Sequence, residues 1–246
     1  MIQLATEIPV AHWHLSSWAD LDFVLAHKVL DDATYALRLK NRHRDRTLIL
    51  DNSMHELGEA LPIEKLKDAA ARCRADYVIP PDRLGDTSWN TYQFQRARRL
   101  FSETGIAVVG VMCGEDSIDR QIALETYYET TSMLLLPFRL PRLRWFLEHQ
   151  EAMTHFRRIH LLGVNTLDEL RHFAAASHQH TSVTWSVDTG KAFKWAMLGK
   201  RLEDLEDVRK SIPQKELLEI EEVTQEQKDL AYENTMFLKK VCNGEA

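Results

Sequence analysis

"TLILDNSMHELGEALPIEKLKDAAARCRADYVIPPD", residues 47–82, reads as strand, loop, helix, strand. The apolar run Leu48-Ile49-Leu50 stops abruptly at Asp51. A polar stretch follows, and Ile63–Arg74 then repeats its apolar positions at helical spacing. A second short apolar run, Asp76–Ile79, ends in Pro80-Pro81-Asp82. The same alternation continues outward in both directions. Strands are expected at Ile2–Ala5, Asp22–Ala26, Thr47–Leu50, Asp76–Ile79, Ile106–Gly110, Ser132–Leu136, Arg158–Leu162 and Ser182–Val187. Further amphipathic helices are expected at Ser88–Glu103, Ser117–Thr130, Pro141–Thr154 and Thr166–Ala176. Eight strands alternating with helices give an α/β chain, a (β/α)8 TIM-like barrel over residues 1–198. A doubly wound open sheet is the rival, but neither GxGxxG nor GxxxxGK[ST] follows a strand. Residues 199–246 are charged, with heptad-like apolar spacing, and read as a C-terminal helical extension of the same domain.

A length of 246 residues suits one such barrel. With 44% hydrophobic and 28% charged residues the chain is of globular type, and 9 Gly and 7 Pro leave little for long linkers. A net charge of -6 argues against a generally basic nucleic-acid binder and confines any such contact to local patches. Cys73, Cys113 and Cys242 have neither zinc nor redox spacing, which suits a reducing compartment. No basic leader precedes an apolar core, and no apolar run approaches the about 20 residues of a membrane helix. A cytoplasmic protein with no membrane contact is expected.

Barrel active sites lie at the C-terminal ends of the strands. His27 follows the second expected strand, Asp51 the third and Asp82 the fourth. The fifth leads to Met112-Cys113-Gly114, the sixth to Pro137-Phe138-Arg139, the seventh to Leu162-Gly163, and the eighth ends at Asp188 in "TWSVDTGKAF". Three strands thus deliver an aspartate to one rim. Carboxylates in unequal environments can have their proton affinities driven apart, one staying ionised as a nucleophile while another moves protons. Plainer roles stand beside each: a helix cap for Asp82, a core histidine for His27, a small buried residue for Cys113, a solvated side chain for Arg139. His12/His14 and His178/His180 are the HxH pairs, and neither sits at a strand end with zinc-like spacing. No metal and no cofactor is expected.

The same residues resemble the queuine tRNA-ribosyltransferase superfamily, the tRNA-guanine transglycosylases. "DNSMHE" (Asp51–Glu56) stands where that family has its aspartate-serine-glycine-glycine-aromatic-glutamine motif, "DYVIPPD" leads to Asp82, and "GVMCG" (Gly110–Gly114) takes the place of a glycine-rich stretch. "LLGVNTLDEL" (Leu161–Leu170) is similar to the family's "LMGVGTPEDL"-like run, and "SVDTGKAF" offers Asp188 where the family has its nucleophile. The motifs keep family order across residues 48–190. The departures are specific. Only Cys242 and no histidine follows Asp188, so the family's zinc subdomain is absent. Cys113 replaces a glutamine, His55 an aromatic residue, and "LPFRL" a glycine pair. The wording "DFVLAHKVL", "LDNSMHELGEAL", "PPDRLGDT", "RIHLLGV" and "SVDTGKAF" is most similar to the compact phage-encoded 7-deazaguanine DNA transglycosylases.

The resemblance implies an enzyme that exchanges guanine in DNA for a 7-deazaguanine of the 7-cyano or 7-aminomethyl type, in the cytoplasm of a phage-infected host. It implies Asp188 as nucleophile and Asp51 as general acid/base, as in retaining glycosidases. Asp82 would read the guanine-like edge, with His55 or Leu162 against the base plane and His27, Cys113, Gly114 and Gly163 as pocket residues. Phosphate contacts are expected from Arg139, Arg142, Arg144, Lys191 and Lys194, and the target base must leave its stack. A second copy or a DNA-delivery partner stays open. Base exchange in tRNA, a non-catalytic nucleic-acid-binding barrel and an unrelated metal-dependent hydrolase are the alternatives.

Overall fold

A computed structural model describes residues 1–83, 85–114, 117–138, 141–164, 166–205 and 212–246. Among these residues the strands are β1 (Ile2–Thr6), β2 (Asp22–Leu25), β3 (Leu48–Asp51), β4 (Tyr77–Val78), β5 (Ala107–Val108), β6 (Gly110–Val111), β7 (Met133–Pro137), β8 (Arg158–Leu162) and β9 (Thr184–Thr189). Every expected strand segment is present. The fifth is split at Val109, because β5 pairs with β4 while β6 pairs with β7. The chain is a mixed α/β protein with parallel strand pairing and intervening helices. No helix among the described residues is long and apolar enough to cross a membrane. The chain divides into two compact units, Phe23–Pro137 and Met1–Asp22 with Phe138–Ala246.

In the Phe23–Pro137 unit the strand order is β2-β3-β4-β5, with β3-β4 and β4-β5 parallel. Leu48, Ile49 and Leu50 are sealed from solvent, which is why this strand has no polar alternation. The helix Ile63–Cys73 buries Ile63, Leu66, Ala69, Ala70 and Cys73, the i, i+3, i+4 stripe that the sequence displays. Arg42 pins its end, donating to the carbonyls of Leu39, Cys73 and Arg74 and to Asp76 Oδ2 at 2.8 Å. Asp76 also accepts from Leu48 N–H, tying the start of β4 to the start of β3. Gly110 is required in β6: a Cβ there would lie 2.6 Å from the ring of the buried Tyr127.

In the other unit β9 pairs in parallel with β1 on one side and β8 on the other. The helix Leu167–Gln179 opens on the Thr166 cap and buries Leu170, Phe173 and Ala174. The C-terminal extension ends in the helix Gln225–Asn243, which packs on β1, on Leu167–Gln179 and on the helix Lys191–Met197. A capping box between Thr224 and Gln227 starts it, and Gly244 at φ 75° ends it. Asn234 is buried within it. Its side chain accepts from Leu202 N–H and donates to the carbonyls of Ala192 and Lys200. Trp195 is likewise part of the core.

Candidate active site

Asp188 stands on β9 with its carboxylate almost sealed, the residue only 5% exposed. Its Oδ1 accepts from Gly163 N–H at 2.9 Å and lies 3.0 Å from His160 Nε2. Gly163 follows β8 at φ 68°, a left-handed conformation that glycine adopts without strain. Leu162 beside it is half-buried. Asp188 caps no helix: the turn after β9 is held by Thr189 Oγ1, which accepts from Lys191 N–H.

Arg142 requires correction as a phosphate contact. Its guanidinium is 2% exposed and donates to both Glu169 oxygens at 2.8 Å and to the carbonyls of Leu162 and Gly163 at 2.8 and 2.7 Å. It braces the loop that presents Gly163 N–H to Asp188. Arg144 is exposed and bonded to Glu148 one turn on, Lys191 and Lys194 are half-buried, and Arg139 lies outside the described residues.

The Phe23–Pro137 unit holds the other two aspartates. Asp51 ends β3, half-buried, and its Oδ2 accepts from Ser53 N–H at 2.7 Å, closing a tight turn into the one-turn helix Met54–Leu57. Ser53 takes φ 65°, rare for a residue with a Cβ, and its buried hydroxyl accepts from His27 N–H. His27 follows β2, which ends at Leu25, and lies in the first turn of the helix Ala26–Asp31. Its Nδ1 is buried and has no hydrogen-bond partner among the described residues, and burial, with Lys28 adding to it, lowers its proton affinity. His55 is exposed on the short helix.

Asp82 is no helix cap either, because Asp86 caps the helix Thr87–Phe101. Instead Asn52, 1% exposed, donates to Asp82 Oδ1 at 2.6 Å and to Pro80 O at 2.7 Å, while its own Oδ1 accepts from Met54 N–H. Burial raises the Asp82 proton affinity above the ordinary 3.8, and the Asn52 hydrogen bond opposes it. Cys113 is buried beside Asn90, Tyr127 and Thr87, and burial pushes its thiol up, so it is a neutral lining group. Gly114 at φ 125° is required there, since a Cβ would meet Asp119 Cβ at 2.7 Å.

The structure therefore groups Asp188, Gly163 and Leu162 in one unit, and Asp51, Asp82, His27, Cys113 and Gly114 in the other. Sequence reasoning missed Asn52, His160 and Ser186. Asn52 adjoins Asp51 and could have been flagged as a buried amide inside a strand-end motif. His160 and Ser186 read as strand interior, and only the β8-β9 register sets them side by side. Among the described residues no three His, Cys, Asp or Glu side chains gather as a metal site would need. No protein-family model matches this chain, and no curated protein matches it.

Proposed function

We propose that the chain is a DNA base-exchange enzyme that replaces guanine with a 7-deazaguanine through a covalent aspartyl-glycosyl intermediate. The observation that carries this reading is Asp188, a buried carboxylate near the end of a parallel strand, held by a backbone N–H from the neighbouring strand's loop. A buried carboxylate with no Lys or Arg bonded to it among the described residues suits attack better than structural pairing. In the first step an Asp188 oxygen bonds to C1′ of the target nucleotide. The C1′–N9 bond breaks, its electron pair goes to guanine, and Asp51 supplies the proton the departing base needs. In the second step Asp51 takes the N9 proton of the 7-deazaguanine, N9 attacks C1′, and the Asp188 carboxylate is released. The sugar-phosphate chain stays intact, and no cofactor enters the balance.

Asp82, braced by Asn52, is the proposed reader of the base edge, with His55 or Leu162 against the base plane and His27, Cys113, Gly114 and Gly163 as pocket residues. Lys191, Lys194 and Arg144 are the proposed phosphate contacts. The target base must flip out or come from a single strand. The same reading takes the parallel strands as staves of one (β/α)8 barrel, the architecture of the family the sequence resembles, working in the cytoplasm of a phage-infected cell.

The test is exchange of labelled guanine into duplex DNA, single-stranded DNA or tRNA, with Asp188→Ala as control. Label entering DNA with the wild type alone supports the reading. Label entering tRNA moves the chain to RNA base exchange. Nucleic-acid binding without exchange, even when 7-cyano- or 7-aminomethyl-7-deazaguanine is the incoming base, makes it a non-catalytic binder. Hydrolysis lost to a chelator makes it a metal-dependent hydrolase.

A further inference from the structure

The sheet face that carries Asp188 carries a second polar layer two residues earlier on β9. Parallel pairing sets Ser186 beside His160, as it sets Asp188 beside the end of β8, and residues two apart share a face. His160 is fully buried. Its Nδ1 lies 2.9 Å from Ser186 Oγ and its Nε2 lies 3.0 Å from Asp188 Oδ1. Gly163 N–H meets the same Oδ1 at 2.9 Å. Two donors thus converge on one carboxylate oxygen, and among the described residues no group is bonded to Oδ2.

An ionised carboxylate only accepts, so the proton between His160 and Asp188 belongs to Nε2. In the neutral ring Nδ1 is then the acceptor, and the Ser186 hydroxyl donates to it. We propose that His160 is a positioning residue for the nucleophile. Ser186 locks its ring in the Nε2–H tautomer, Nε2–H and Gly163 N–H fix Oδ1, and Oδ2 is the oxygen that attacks. This rests on Asp188 being the nucleophile of the proposed base exchange. Fixing one oxygen removes rotation of the carboxylate before attack, an orientation effect. After attack Oδ2 is the ester oxygen and Oδ1 the carbonyl oxygen, still held by both donors. When the carboxylate leaves, its returning charge falls on an oxygen already hydrogen-bonded twice. His160 keeps its proton throughout, so the leaving base is protonated from elsewhere.

Three variants separate positioning from mere packing. His160→Gln places an amide N–H near the lost Nε2–H, His160→Leu has no donor, and Ser186→Ala removes the lock. Single-turnover exchange should fall about 100-fold in kcat for His160→Leu, the scale of losing one preorganised donor, with KM unchanged because His160 is sealed from substrate. His160→Gln should recover at least about tenfold of that loss if the N–H is what matters. Equal kcat for Gln and Leu variants of matched melting temperature, or a loss seen in KM alone, overturns the proposal. An activity-independent reading comes from long-range proton–nitrogen NMR of labelled wild type. It should show His160 as the Nε2–H tautomer, with Ser186→Ala mixing in the Nδ1–H form. An Nδ1–H wild type overturns the proposal whether or not the protein exchanges bases. A wild type that exchanges nothing overturns the base-exchange reading instead, while the tautomer spectrum still decides the lock.

Discussion

At Asp82, burial works against charge. The folded chain holds this proton more tightly than the unfolded chain, whose carboxyl titrates near 3.8. The associated stability is fully present below 3.8 and is lost as pH rises through the higher folded value. Asp82→Asn keeps an acceptor for Asn52 and removes the titration. Its melting temperature should exceed the wild type's at neutral pH, and the two should converge below 3.8, read from melts across an acid-to-neutral series. Base exchange should fall in the same variant, the trade expected when a site residue is held against its preference. Arg142 is the opposite case, a buried cation fully engaged. Arg142→Ala removes the donors that this guanidinium gives to Glu169 and two carbonyls and should cost about 3–5 kcal/mol in urea denaturation. The two residues also show what a sequence discloses at this scale. Asp51 and Asp188 were legible as carboxylates at or near strand ends because each closes a strand-like segment. Arg142 was not, because the groups that bury it lie 20, 21 and 27 residues further on, and "RLPRLR" alone looks like a solvated basic cluster.

Among the elements, boundaries follow hydrogen bonds that periodicity does not carry. "IAVVG" reads as one strand, yet the chain pairs with β4 through Val108 and with β7 from Gly110. The expected helix Pro141–Thr154 is two, Arg142–Glu148 and Gln150–Met153, interrupted at His149, whose Nδ1 bonds Trp145 O and whose backbone leaves helical geometry. β3 and β7 were nonetheless well specified, since Leu48–Leu50 and Met133–Leu136 are buried throughout and write an apolar run. Gly110→Ala in β6 tests a close approach: with the Tyr127 ring in the way, about 1–3 kcal/mol of stability should be lost. A Gly110→Ala/Tyr127→Leu double variant should recover part of that loss in the same denaturation assay. At the C-terminal helix, Thr224→Ala deletes the capping box and should cost about 1 kcal/mol, measured the same way.

For the whole molecule, the cysteines provide a built-in reporter. Cys73, Cys113 and Cys242 are all buried, and burial pushes the thiols of Cys73 and Cys242 up to about 12. None should react with a thiol reagent at neutral pH in the native state, and all three should react in denaturant. Cys73 and Cys113 belong to one unit and Cys242 to the other. Labelling followed by peptide mapping therefore asks whether the units open together: one common rate means a single cooperative transition, two rates mean separate ones. The division itself was not legible, because it splits one alternating pattern at places where composition does not change.

The pairing of β1 with β9, Leu4 beside Val187, has a consequence for how the protein is made. At roughly 5–20 residues per second, a ribosome needs roughly ten to forty seconds to synthesise the chain between those partners. Once clear of the exit tunnel, the strand Ile2–Thr6 waits with its neighbour still untranslated. Residues 23–137, by contrast, leave the exit tunnel as an uninterrupted unit with all of its own strands. Vectorial synthesis thus lets residues 23–137 fold before Ile2–Thr6 gains its β9 partner.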